Sequence, residues 1–296
     1  MTYKFKTLGL LCSFVFFALA GADASINFRL EQSKVRLTIP AGGTHSGIIK
    51  LYSQAKNPIH LKVYAEDWAY ESTNSGTKDF FPPKTHSNSC AGWIKFRPLD
   101  FILSVYGVQE INYSVDVPAD AKGGYYAVLF YEGEASQEDL AEGGAVKPPP
   151  SNVTIAIRLG TIFYIDVKNT VAREAKFSNF SVSKGLKDLY SIRADLANTG
   201  NADITVGGNF YIMDKEGMVY GRGEFNDAYT FPGDTAQIKS EWKAQMPAGS
   251  YDVVMTFDFG KAFEETAGAK KGPIVTKEAK IEIDSDGEVK EVSQLK

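Results

Sequence analysis

The sequence predicts an all-β protein built from two tandem β-sandwiches. Three observations carry this expectation. Short runs of alternating apolar and polar residues recur along the chain, set apart by Gly, Pro and Asn turn signals. Aromatic residues are plentiful, with 19 Phe, 15 Tyr and 3 Trp, and such rings cover a pleated surface well. No long stretch shows helical spacing with caps, the one short acidic candidate being "SQEDLAEGG". A length of 296 residues fits about two domains.

The N-terminus reads as a processing signal over residues 1–24. Lys4 and Lys6 form a positive region, "LGLLCSFVFFALA" an apolar core, and "ADA" at 22–24 a small-x-small cleavage pattern. The expected mature chain starts near Ser25, is exported, and has no membrane span, because the apolar run is too short to cross a bilayer comfortably. It keeps one cysteine, Cys90, so the fold must rest on its core rather than on a disulfide. Cys90 reads as a small half-buried residue, since no basic partner lies close in sequence to activate it. A net charge of −4 with no basic block sets nucleic acid aside as a partner.

The strands follow in order. "INFRLEQSKVRLTI" ends at Pro40, "HSGIIKLYSQ" at Asn57 and Pro58, and "IHLKVYAEDWAYE" at "STNSG". "CAGWIKFRP", "DFILSVYG" and "QEINYSVDVPADAKGGYYAVLFYEGE" continue the series. Residues 134–152 are polar, then Gly-rich, then carry three prolines at 148–150, which cannot lie in a central strand. They read as a long loop, and such loops inside compact domains are often functional. "VTIAIRLGTIFYIDV" at 153–167 resumes the alternation. The domains are placed at 25–168 and 169–284, with a flexible polar tail at 285–296. In the second, "DKEGMV" reads as a hairpin turn, and Tyr251, Val253, Met255 and Phe257 share one strand face.

The first segment resembles the N-terminal domain of periplasmic pilus-assembly chaperones. "FRLEQSKVRLTIPAG" is similar to their opening strand, and "WIKFRPLDFILSVYGVQEINYSV" follows their pattern of Trp-Ile, a Pro, an apolar strand and a turn. "YYAVLFYEG" and "VTIAIRLGTIFYIDV" look like the strands before and after their flexible loop. The resemblance covers about half the chain and implies two immunoglobulin-like sandwiches set at an angle, in the periplasm or at the cell surface. It also implies that the strand after the loop is given to a pilus subunit, which assigns Val153, Ile155, Ile157 and Leu159 to partner binding. The same alternation is what any strand over a sandwich core shows.

The family further anchors a subunit's terminal carboxylate on two basic residues. Lys34 falls at the first position. The second offers only Thr161 or Ile162, with Arg158 the nearby cation but at a different height on the strand. The second segment resembles envelope immunoglobulin-like modules, and the whole layout also resembles two-domain surface proteins that bind wall polymer or partner proteins. A structural or adhesive module therefore stands as an alternative to an envelope-assembly factor.

A third alternative, a carbohydrate-active enzyme, has little behind it. His45, His60 and His86 are scattered, and no metal-ligand spacing, nucleophile elbow or phosphate loop occurs. Glu66, Asp67 and Asp227 are the carboxylates a glycosidase would have to pair. "DSDGE" lacks a full calcium-loop spacing. Trp68, Tyr70, Phe80 and Phe81 read either as a sugar-stacking platform or, more simply, as core. The expectation is a non-catalytic protein without cofactor or metal.

Overall fold

A computed structural model of the chain describes residues 28–135, 155–261 and 272–296. Among these, every regular element is a β-strand except two 3₁₀ turns. The expected signal segment, "SQEDLAEGG" and Val153 lie outside the described residues.

Two sheets form the first sandwich, with strands numbered along the chain. One has the order β1 (Phe28–Leu30), β3 (Thr44–Ser53), β8 (Val108–Asp116), β6 (Ile94–Arg97). The other has the order β2 (Lys34–Ile39), β10 (Ile155–Val167), β9 (Gly124–Ala135), β4 (Ile59–Tyr70), β5 (Lys78–Phe81), and β7 (Asp100–Leu103) also pairs with β4. Period-2 alternation sends one set of side chains inward from each sheet. Ile49, Leu51, Leu61, Ile111, Leu129, Phe163 and Ile165 meet there, fully shielded from solvent. The first strand region switches sheets: β1 pairs with β3, and after the polar residues Glu31, Gln32 and Ser33 the chain continues as β2 in the opposite sheet.

The second sandwich packs β11 (Ala175–Lys184), β12 (Leu189–Asn198) and β16 (Thr235–Lys243) against a larger sheet. That sheet has the order β14 (Val219–Glu224), β13 (Ile204–Met213), β17 (Gly249–Asp258), β18 (Ile274–Ile283), β19 (Val289–Val292), with β15 (Ala228–Thr230) on β13. Tyr251, Val253, Met255 and Phe257 share the buried face of β17. Asp214 closes the turn before β14, its N–H donating to the Met218 carbonyl at 3.0 Å. The polar segment 285–296, read as a tail, carries β19, which pairs with β18 while Val289, Val292 and Leu295 pack on the core. Three apolar residues spaced through that segment suffice to hold it.

The two sandwiches meet on an aromatic cluster. Trp68, Tyr70, Tyr126 and Tyr164 from the first enclose Phe231 from the second. Phe231 stacks on Tyr126 with centroids 4.0 Å apart and lies 4.8 Å from the Trp68 ring. Trp68 is 1% exposed, so it caps the junction and cannot stack on a sugar. Beside the rings lies a buried ionic group with two charges of each sign. Arg36 on β2 donates to both oxygens of Asp203 at 3.2 and 2.6 Å, and Arg173 donates to Asp166 at 3.0 Å and to Asp203 at 3.2 Å. Burial opposes the charge on Asp203, yet Arg36 and Arg173 hold its pKa below the ordinary aspartate value. Asp166 goes the other way, because there burial outweighs its arginines. The Asn74 side-chain amide adds a bond to the Tyr229 carbonyl at 3.0 Å, clasping the β4–β5 hairpin to the second sandwich.

Candidate strand-edge site

The strand β10 has two different flanks. Along one side it pairs with β9 in antiparallel register from Ile155↔Ala135 to Asp166↔Gly124. Along the other it pairs with β2, parallel, only from Ile162↔Lys34 to Val167↔Ile39. Residues 155–161 therefore present an edge that no strand covers among the described residues. The sheet switch between β1 and β2 is the cause, since the chain runs in the opposite sheet as β1 and joins β10 only from Lys34 onward. Thr161 closes the upper end, its hydroxyl donating to the Gln32 carbonyl at 2.8 Å.

Register sets which groups face the opening. The Ile162 N–H donates to the Ser33 carbonyl at 2.9 Å, so even-numbered residues point their main-chain groups toward β2. Strand alternation then directs the N–H and C=O of Ala156, Arg158 and Gly160 to the uncovered edge. The odd-numbered side chains turn inward, and Ile157 and Leu159 are half-buried against the first core. Gly160 leaves room for the rings beside it: a Cβ there would come 2.9 Å from Val128 and 3.0 Å from Phe130.

The outer face holds the cations. Lys34 is exposed at the point where β2 joins β10. Arg158 shares the face but sits four residues away, about 13 Å along the strand. It is also engaged locally. Its guanidinium lies 3.4 Å from Glu66 and 4.3 Å over the Phe130 ring. Its pKa stands above the ordinary arginine value, chiefly through a hydrogen bond with Tyr64. Thr161 is buried and Ile162 half-buried, and neither side chain carries a charge.

A residue that sequence reasoning passed over lies nearer to Lys34 in effect. Lys78 on β5 extends across the aromatic floor, its Nζ 5.6 Å from the Trp68 ring and 5.7 Å from the Tyr70 ring. It donates to the Gly76 carbonyl at 2.9 Å. Burial first, and then the charge of Lys34, hold its pKa below the ordinary lysine value. Nothing in "SGTKDFF" marks it, because only the fold of the β4–β5 hairpin brings it over Trp68.

Groups capable of catalysis are dispersed. Cys90 is fully buried rather than half-buried, and burial pushes its thiol well above the usual range. His60 is exposed against Asp100 at 2.5 Å. Asp67 is buried and accepts from the Ser89 hydroxyl at 2.5 Å and the His86 N–H at 3.0 Å, which fixes the loop before β6. Asp227 pairs with Lys261 at 2.8 Å. In "DSDGE", Asp284 accepts the N–H groups of Asp286 and Glu288 at 2.9 and 2.8 Å, so it shapes a turn. Among the described residues, no group of three or more His, Cys, Asp or Glu is arranged to hold a metal, and no helix is long and apolar enough to cross a membrane.

No family model matches the chain, and no curated protein matches it. Among solved structures it is similar to the class 5 fimbriae chaperone CfaA, at 13% identity and a TM-score of 0.45, covering 84% of this chain and 98% of that one. A chaperone–tip adhesin complex of CFA/I fimbriae biogenesis matches at 14% identity and 0.45, covering 84% and 98%. The CsuC–CsuE chaperone–tip adhesion subunit complex of archaic Csu pili from Acinetobacter baumannii matches at 12% and 0.41, covering 84% and 97%. At these identities the likeness concerns the fold.

Proposed function

We propose that this chain is an exported, non-catalytic, pilus-chaperone-like binding protein that holds an extended segment of another envelope protein against the edge of β10. The observation that carries the reading is the edge at residues 155–161, which no strand covers among the described residues, flanked by a fully paired second half of the same strand. An added strand would bond to the main-chain groups of Ala156, Arg158 and Gly160, the mode known as β-augmentation. Val153, Ile155, Ile157 and Leu159 would supply the apolar set that such a partner meets. Lys34, with Lys78 sharing its field, would meet a carboxylate at the end of the bound segment, and Arg158 would flank that segment further down.

Proline substitutions test this directly, because proline removes one N–H at a chosen register. Ala156→Pro deletes an outward donor and leaves the β9 ladder intact, so the protein should fold and lose its partner in a pull-down from envelope extract. Retained binding by a folded Ala156→Pro protein sinks the strand-edge reading. Recovery of wall polymer by both proteins would favour the structural or adhesive alternative.

A further inference from the structure

The second sandwich closes unevenly between its two edge strands. β14 ends one sheet and β16 the other. Near Glu224 they are tied together: the Ser240 hydroxyl donates to the Glu224 carbonyl at 2.6 Å, and the Asn226 N–H to the Lys239 carbonyl at 3.0 Å. Toward Val219 they part, and a cleft of about 470 Å³ opens. Tyr211, Tyr220, Gly221, Arg222, Trp242 and Lys243 line it.

A bulge builds this lining. Ile212 pairs with Gly221 and Met213 with Val219, which leaves Tyr220 as the extra residue. Bulges re-aim side chains, and Tyr220 turns inward to meet Tyr251 edge to face at 5.2 Å. Gly221 is needed where it stands, since a Cβ would come 2.6 Å from Trp242 Nε1. Trp242 is 7% exposed, and its buried indole N–H has no acceptor among the described residues. A buried donor left unpaired calls for an explanation. Arg222 and Lys243 are both exposed, each next to an inward-facing residue, Gly221 and Trp242, and they flank the rim of the cleft on opposite sheets. Neither makes a salt bridge or side-chain hydrogen bond among the described residues, and no acidic residue lines the cleft.

We propose that this cleft binds a small carboxylate ligand, held by Arg222 and Lys243 over the Trp242 floor. A planar guanidinium matches a carboxylate with two parallel bonds, and a lysine across the cleft adds a second charge-assisted one. The tyrosine rings cover an organic body, and the volume falls within the range of small-ligand sites. The aromatic lining favours a carboxylate carried on an organic frame over inorganic phosphate, which has no body for the rings to cover. The site is on the other sandwich from β10, so it stands independently of the strand-edge reading.

The test uses the mature chain with ¹⁵N-labelled tryptophan, whose three indole signals are assigned with Trp242→Phe. Sodium glucuronate, N-acetyl-aspartyl amide, methyl glucoside and inorganic phosphate are titrated in turn. A saturable shift of the Trp242 signal with either carboxylate, weakened roughly tenfold in Arg222→Gln and in Lys243→Gln, is the expected result. Glucuronate alone would assign an acidic saccharide, and the aspartyl amide alone an acidic side chain. An unmoved signal at tens of millimolar, an equal response to methyl glucoside, or phosphate binding as tight as the carboxylates overturns the proposal. Both variants change exposed side chains, and an unchanged urea midpoint together with an unchanged Trp242 signal before ligand is added shows that the second sandwich stays folded.

Discussion

The two halves of β10 carry the same alternation and meet opposite fates. In the second half, Phe163, Tyr164, Ile165, Asp166 and Val167 are all buried, with strands on both flanks and the sandwich junction over the outer face. In the first half, Ile157 and Leu159 are half-buried and one flank has no strand among the described residues. Alternation reports that one face of a strand is covered. It says nothing about whether the edge is covered, because edge coverage depends on which other strand arrives alongside. Here the arrival of β2 four residues short of Arg158 makes the difference between scaffold and candidate site.

The comparison can be broken hardest at the junction. Asp203→Ala leaves Arg36 and Arg173 facing fewer buried negative charges, and removing one partner of such a group costs about 3–5 kcal/mol. Urea unfolding should show a midpoint far below that of the parent, while Glu66→Ala, on β4 and paired with Arg158 of the exposed half, should barely move it. The same carboxylate gives a pH signature. Its folded pKa lies below the ordinary value, so its stabilisation is present above the unfolded aspartate pKa and is lost as pH falls through the folded one. The raised pKa of Asp166 acts with opposite sign, its contribution being present at low pH and lost as pH rises through its folded pKa. Unfolding midpoints measured across the acid range should therefore fall more gently in Asp203→Asn than in the parent. An equally steep fall would assign the acid limb to other groups.

Next in size is the core contrast along the strand. Phe163 is fully buried and meets Tyr113 edge to face at 5.2 Å. Phe163→Ala should cost about 3–5 kcal/mol, and Leu159→Ala, half-buried, about 1–2 kcal/mol by the smaller apolar area it withdraws. Similar losses by chemical denaturation would mean the two halves are equally core. Proline sharpens the edge itself: Ile157→Pro removes an N–H that faces β9 and should lower the thermal midpoint clearly, whereas Ala156→Pro should lower it little. The smallest effect belongs to Arg158→Gln. Its pair with Glu66 is solvent-exposed at 3.4 Å, so the stability change should be at most about 1 kcal/mol. A larger effect on partner capture than on stability would mark Arg158 as a contact to the bound segment.

Much of the architecture was legible along the chain. Tyr251, Val253, Met255 and Phe257 announce β17 by their spacing, and "DKEGMV" announces its turn by Gly217, which sits at φ +83°. The site was legible only in part. "VTIAIRLGTIFYIDV" identifies a strand after a long polar loop, but the edge it exposes follows from the sheet switch at residues 31–33. Lys78 was invisible because its neighbour Lys34 is 44 residues away in sequence and on another strand. Trp68 read as a surface ring or a core cap, and it caps the space between two sandwiches instead of the core of one.

The sequence by itself determined most of the strands and which face of each is apolar, with β19 as the exception, because its polar segment carries too few apolar residues to show the alternation. Those properties follow from period-2 chemistry and from composition, both local. Tertiary structure alone decided which strands are neighbours, where an edge has no strand beside it among the described residues, and how Arg36, Asp166, Arg173 and Asp203 come together across the junction. These are long-range pairings, and their energy depends on separations and burial that no stretch of the chain encodes alone.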